Sequence, residues 1–144
     1  MKHYSLGFMF SPCKRAVVLI QKTKPAWQKG YWNGVGGKVE EGELYADAMA
    51  REFFEETGVT TVPSDWDQFA TMKGSDWEVA CFVCFDERYK LVETKTEEQV
   101  RIVEVNILTG GVHAPVTIPN LAWLIPMALS EEGVSAEIFH PSQK

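Results

Sequence analysis

The chain has 144 residues and a formal net charge of −6, with 45% hydrophobic and 24% charged residues. That size and balance suit one soluble globular domain spanning 1–144, and the acidic excess argues against a protein that coats nucleic acid. No apolar run approaches the roughly 20 residues of a membrane helix, and the N-terminus has no secretory pattern, so the expected setting is cytoplasmic with no membrane partner.

Tyr4 to Phe10 reads as a strand, closed by a turn at Ser11-Pro12. Ala16 to Ile20 is a continuous apolar run of the kind a buried strand shows, and the two segments can pair as a hairpin. Gln21 to Tyr31 reads as a loop carrying Lys22, Lys24 and Lys29, with Pro25 and Gly30 as breakers. Of these lysines, Lys22 or Lys24 is the candidate for reaching a phosphate or a base. Trp32 to Val39 is dense in glycine. Within it Trp32 offers a flat apolar wall, and Asn33 can present a donor and an acceptor side by side to a purine edge. Lys38 follows the glycine pair as a second candidate phosphate contact.

From Glu43 to Thr57 there is neither proline nor glycine, and good helix formers dominate. Gly58 stands where such a helix stops. Upstream, Gly36-Gly37 makes a turn where backbone can approach a ligand closely. Glu52, Glu55 and Glu56 fall at i, i+3 and i+4, so three carboxylates share one face, with Arg51 immediately before them. Ala46, Ala50, Phe53 and Phe54 are expected to supply the buried side. Like charges this close repel unless something neutralises them. A hard divalent cation bound through oxygen is the natural neutraliser.

Val59 to Val62 starts as a strand that Pro63 interrupts. Gln68 to Met72 and Glu78 to Phe85 read as an antiparallel pair joined around Gly74-Ser75-Asp76. Cys81 and Cys84 lie three apart in that second strand, so they point to opposite faces and are expected to be core thiols rather than one site. His3, His113 and His140 form no cluster. Asp86 to Thr96 is polar, Thr96 to Gln99 leads into a strand from Val100 to Ile107, Gly110-Gly111 marks a loop, and Ala114 to Ile118 is extended. Pro119 to Leu129 reads as an apolar helix that Pro126 kinks or shortens, with Trp123 as packing. Residues 133 to 144 read as a loose tail.

At every defining position, Gly37 to Val59 matches the signature of the Nudix hydrolases, G-x5-E-x7-R-E-U-x-E-E-x-G-U, where U is a bulky aliphatic or aromatic residue. Nine positions are specified across 23 residues, which makes a chance match remote. The resemblance implies an α/β fold with a mixed sheet in an α/β/α sandwich and a loop–helix–loop box. It also implies hydrolysis of a nucleoside diphosphate linked to another group. By the same resemblance, the carbonyl of Gly36 with Glu52, Glu55 and Glu56 would hold Mg²⁺ or Mn²⁺. Glu98, ahead of the strand at Val100, would complete that site or act as base, and Glu52 is the other candidate base. Arg51 would fix a glutamate rotamer, while Gly37, Glu43 and Gly58 would shape the box.

The Trp32-Asn33 segment is similar to that of Nudix enzymes acting on oxidised purine nucleoside triphosphates, where the asparagine contacts the base. Asn120 occupies the place of a base-reading residue in the MutT-like branch. The expected reaction turns a (deoxy)nucleoside triphosphate, such as 8-oxo-dGTP, into a monophosphate and pyrophosphate, in a monomer or homodimer with no nucleic-acid polymer as partner. ADP-ribose, dinucleotide polyphosphates and RNA 5′ ends are the alternative substrates. A non-catalytic nucleotide-binding regulatory domain is the alternative of another class, and the complete set of box glutamates speaks against it.

Overall fold

The computed structural model describes residues 1–109, 116–130 and 136–139. Strand β1 (Lys2–Phe10) is the spine of the sheet. It runs parallel to β6 (Trp77–Phe85), from Lys2 opposite Trp77 to Phe10 opposite Phe85. Its other edge pairs antiparallel with β4 (Val35–Lys38) and, at Phe10 opposite Val17, with β2 (Ala16–Gln21). β2 also pairs with β3 (Trp32–Asn33) and with β7 (Val100–Glu104). Strand β5 (Asp67–Lys73) joins β6 and β8 (Ala136–Phe139), giving an eight-stranded mixed sheet in which six strands run in the order β3-β2-β1-β6-β5-β8, with β4 on β1 and β7 on β2 off that path.

Helix α1 (Tyr45–Thr57) packs on one face and α2 (Leu121–Ala128) on the other, so both faces of the central strands are buried. This explains the near-continuous apolar runs of β1, β2 and β6. Phe8, Phe10, Val17, Leu19, Cys81 and Val83 belong to the cluster beneath α2. Met9, Val18, Ile20, Ala80, Phe82 and Cys84 belong to the cluster beneath α1. Cys81 and Cys84 therefore sit on opposite faces, as strand alternation requires, and burial pushes both thiols up to about 12. Gly7 lets α1 approach β1 closely, because a Cβ there would lie 2.5 Å from the sulfur of Met49.

Several expectations need correction. Helix α1 begins at Tyr45, which leaves Glu43 in the preceding loop. Its buried side is Ala48, Met49, Phe53 and Thr57, while Phe54 is 53% exposed. Phe54 lies about 100° round the helix from Phe53, beyond the stripe that meets the sheet. No strand forms over Val59 to Val62; the chain there enters a 3₁₀ turn at Pro63–Asp65. β7 ends at Glu104, and Val105–Thr109 continues as 3₁₀ helix. Within the tail, Ala136–Phe139 forms β8, parallel to β5. Trp123 is 39% exposed rather than packed. The expected loop at 110–111, the start of the extended run at 114, His113, His140 and tail residues 133–135 and 140–144 lie outside the described residues.

Candidate active site

Two backbone features set up the box. Gly58 ends α1 in the left-handed region, φ 78°, and its N–H donates to the carbonyl of Phe54 at 2.8 Å. Gly36 and Gly37 run in β4 opposite Leu6 and Ser5 of β1. A Cβ at Gly36 would strike the Ser5 carbonyl, and one at Gly37 would lie 2.5 Å from the carboxylate of Glu52. The Glu52 carboxylate thus rests directly on strand β4, and Gly36-Gly37 are part of that strand rather than the turn expected from the sequence.

Arg51 ties α1 to the end of β4 and to the loop between them. Its Nε and Nη2 donate to Glu43 Oε2 and Oε1 at 2.8 and 3.0 Å, a bidentate pair. Nη1 donates to Glu52 Oε1 at 3.0 Å and to Glu55 Oε1 at 3.2 Å, and Nη2 reaches the carbonyl of Lys38 at 3.0 Å. The Arg51 guanidinium holds the Glu43 carboxyl below the usual carboxylate range, and Glu43 also accepts from the N–H of Glu40 at 3.0 Å. The side chain of Lys38 is exposed on the rim of an open cavity of about 1020 Å³, lined also by Tyr45, Arg51, Glu52 and Glu55.

A second cluster closes the C-terminal end of α1. Glu98 is buried, and its carboxylate accepts from the N–H of Thr23 at 2.9 Å, from Thr23 Oγ1 at 3.3 Å and from Lys22 Nζ at 3.3 Å. Thr96 Oγ1 accepts the N–H of Glu98 at 3.1 Å and donates to Glu56 Oε2 at 2.8 Å. Burial pushes the Glu56 carboxyl up, the hydrogen bond from Thr96 opposes this, and the negative charge of Glu98 adds to the rise. Glu52 is raised in the same way, by burial first, against the pull of Arg51. Of the loop lysines, Lys22 meets this cluster; Lys24 is exposed and makes no ion pair among the described residues.

The base-reading candidates lie elsewhere. Trp32 is buried in the cluster beneath α2, with the Arg101 guanidinium 5.8 Å from its ring centroid. Asn33 Oδ1 accepts from the N–H of Gly34 at 2.8 Å, so that oxygen is engaged locally. Asn120 stands just before α2. Its Nδ2 lies 3.3 Å from the sulfur of Met72, and its Oδ1 is buried without a hydrogen-bond partner among the described residues. A buried acceptor left unpaired costs about 1–3 kcal/mol, which a ligand donor would recover.

The donor chemistry suits a hard divalent ion. Glu52, Glu55, Glu56 and Glu98 offer only carboxylate oxygens. Burial raises Glu52 and Glu56 because their charge is under-compensated. As they stand, Arg51 draws Glu52 and Glu55 to one side and the threonines hold Glu56 and Glu98 on the other. Among the described residues no three acidic, histidine or cysteine side chains converge on one point. Seating an ion would call for rotation of glutamate side chains from these hydrogen-bonded positions. Thr23, Lys22 and Thr96 carry much of this geometry. Thr96, two residues before Glu98, could have been found from its local turn pattern. Thr23, 75 residues from its partner, leaves no signal in the sequence.

The description "NUDIX domain" matches residues 1–123, so the chain belongs to the Nudix family. Its fold is of the MutT-like kind: it superposes on a MutT protein of Bacillus halodurans with a TM-score of 0.73 at 18% identity, covering 98% of this chain and 91% of that one. The NUDIX domain of NrtR from Shewanella oneidensis, complexed with ADP ribose, aligns with a TM-score of 0.71 at 17% identity, over 88% of this chain and 84% of that one. An oxidized purine nucleoside triphosphate hydrolase of Mus musculus is 40% identical over 57 residues, which are 40% of this chain and 35% of the mouse protein. The matched segment thus spans about a third of that relative.

Proposed function

We propose that this protein hydrolyses the diphosphate linkage of a nucleoside triphosphate, giving a monophosphate and pyrophosphate, with Mg²⁺ or Mn²⁺ as cofactor and an oxidised purine as the preferred base. The observation that carries the reading is the meeting of three segments at the end of α1. Glu52, Glu55 and Glu56 come from the helix, Glu98 comes from the loop before β7, and Lys22-Thr23 come from the loop after β2.

Phosphoryl transfer asks for charge neutralisation and alignment more than for covalent help from the protein. The bound ion would neutralise phosphate oxygens and acidify water. The chain's own groups do the rest. Glu52, Glu55, Glu56 and Glu98, with the Gly36 carbonyl, would hold the ion. Glu52 or Glu98 accepts the proton of the attacking water, and Lys22 and Lys38 offer cations to the phosphates. Arg51 keeps Glu43, Glu52 and Glu55 in register with the end of β4. On the α2 side, the unpaired Asn120 Oδ1 suits a donor on a purine edge, which supports a purine substrate. The short stretch of likeness to the mouse enzyme adds support for an oxidised base.

The test is a substrate panel with Mg²⁺: 8-oxo-dGTP, dGTP, other nucleoside triphosphates, ADP-ribose and a dinucleotide polyphosphate. Turnover of 8-oxo-dGTP with release of pyrophosphate rather than phosphate is expected. No turnover of any triphosphate would overturn the reading. ADP-ribose is the second reading, on the strength of the NrtR domain bound to that ligand, and its preferential cleavage in the same panel would replace the first.

A further inference from the structure

Glu56 and Glu98 come from segments with no helix in common, and one hydroxyl connects them. Thr96 Oγ1 accepts the backbone N–H of Glu98 at 3.1 Å and gives its own proton to Glu56 Oε2 at 2.8 Å. A hydroxyl has one proton and two lone pairs, so both bonds form at once without conflict. The loop around it is folded by a similar device, since Thr94 Oγ1 accepts the N–H of Val100 at 2.9 Å. Glu98, in turn, is kept from swinging by the N–H and Oγ1 of Thr23.

We infer that Thr96 is the positioning residue that sets Glu56 of the box helix against Glu98 of the following loop, so that the two carboxylates are aimed together before any ion arrives. Thr96 touches neither substrate nor ion in this role. The inference rests on the proposed metal-dependent reaction, and it predicts a defect in ion binding rather than in nucleotide binding. Partners of this kind, hydrogen-bonded behind the ligands, typically alter metal affinity by about 10–100-fold when lost.

The experiment compares wild type with Thr96→Val, which keeps the shape and removes both hydrogen bonds, and Thr96→Ser, which keeps the hydroxyl. Mn²⁺ binding is measured by calorimetry on the folded protein without nucleotide, with circular dichroism as the check on folding. For Thr96→Val the expected result is Mn²⁺ affinity weaker by about 10-fold or more, kcat lowered at fixed subsaturating metal, and KM for nucleotide within about 2-fold of wild type. Thr96→Ser should recover most of the affinity. Equal Mn²⁺ affinity in Thr96→Val and wild type overturns the inference. So does a Thr96→Ser variant as defective as Thr96→Val, since that would make the methyl group responsible. Wild type that binds Mn²⁺ in a Thr96-dependent way yet cleaves no nucleotide would overturn the proposed reaction while supporting the role of Thr96. Wild type that binds no Mn²⁺ would overturn both.

Discussion

The two faces of the sheet carry different kinds of work. On the α1 face, charge is concentrated: Glu43, Arg51, Glu52 and Glu55 form one network, with Glu56 beside it on Thr96, along a helix whose underside, Met49 and Phe53, is fully buried. On the α2 face the described core is apolar, and the feature that stands out is the amide oxygen of Asn120, buried without a partner among the described residues. Charge repeated along a helix suits ion and phosphate chemistry, which is common to all nucleotides. A lone polar atom in an apolar wall suits discrimination between bases. The contrast suggests that rate is controlled from one face and substrate choice from the other.

That division can be broken, or sharpened, by substitution. The largest effect should come from Glu56→Gln, which is expected to lower kcat by roughly 10²–10⁵-fold with the circular dichroism spectrum unchanged. A steady-state assay that finds full activity removes Glu56 from the site. Next is Phe53→Ala, which empties the contact with Trp66, ring centroids 5.2 Å apart. It should cost about 3–5 kcal/mol of stability by urea unfolding. Asn120→Ala should leave kcat/KM for a pyrimidine triphosphate nearly unchanged and lower that for the preferred purine by about 10–100-fold. Equal losses for both bases would place Asn120 outside the recognition surface.

A smaller effect concerns pH. Burial holds Glu52 and Glu56 above the ordinary 4.5 of a glutamate. A carboxyl raised in the folded state favours folding in its protonated form. That contribution is complete below pH 4.5 and is lost as pH rises through the raised value. In EDTA at neutral pH, Glu56→Gln should therefore melt higher than wild type, by about 2–4 °C, and the advantage should fade as pH is lowered toward 4.5. A difference in Tm that does not change with pH would argue against a buried charge at Glu56. The smallest effect is expected for Phe54→Ala, within about 0.5 kcal/mol of wild type in the same urea titration that reports on Phe53.

Much of the chemistry was legible along the chain because it obeys local periodicity. Glu52, Glu55 and Glu56 share a face through helix geometry alone, Gly58 stops that helix through its own backbone freedom, and Cys81 and Cys84 are separated by strand alternation. The same reasoning misjudged Phe54 and Trp123. Helical spacing shows which residues share a side, but the width of the buried stripe depends on the partner surface. The strand expected at Val59–Val62 gives way to the 3₁₀ turn at Pro63–Asp65, where the N–H of Val62 donates to the Asp65 carboxylate at 2.8 Å.

The sequence by itself determined the acidic helix, its glycine boundaries and the composition of the buried strands, because those depend on neighbours within a few residues. Only the tertiary structure decided that Lys22 rather than Lys24 meets Glu98, that Thr96 spans Glu56 and Glu98, and that Asn120 sets its amide nitrogen against the sulfur of Met72. Each of those depends on where segments tens of residues apart come to rest in one packed sheet, and no short-range pattern encodes that distance.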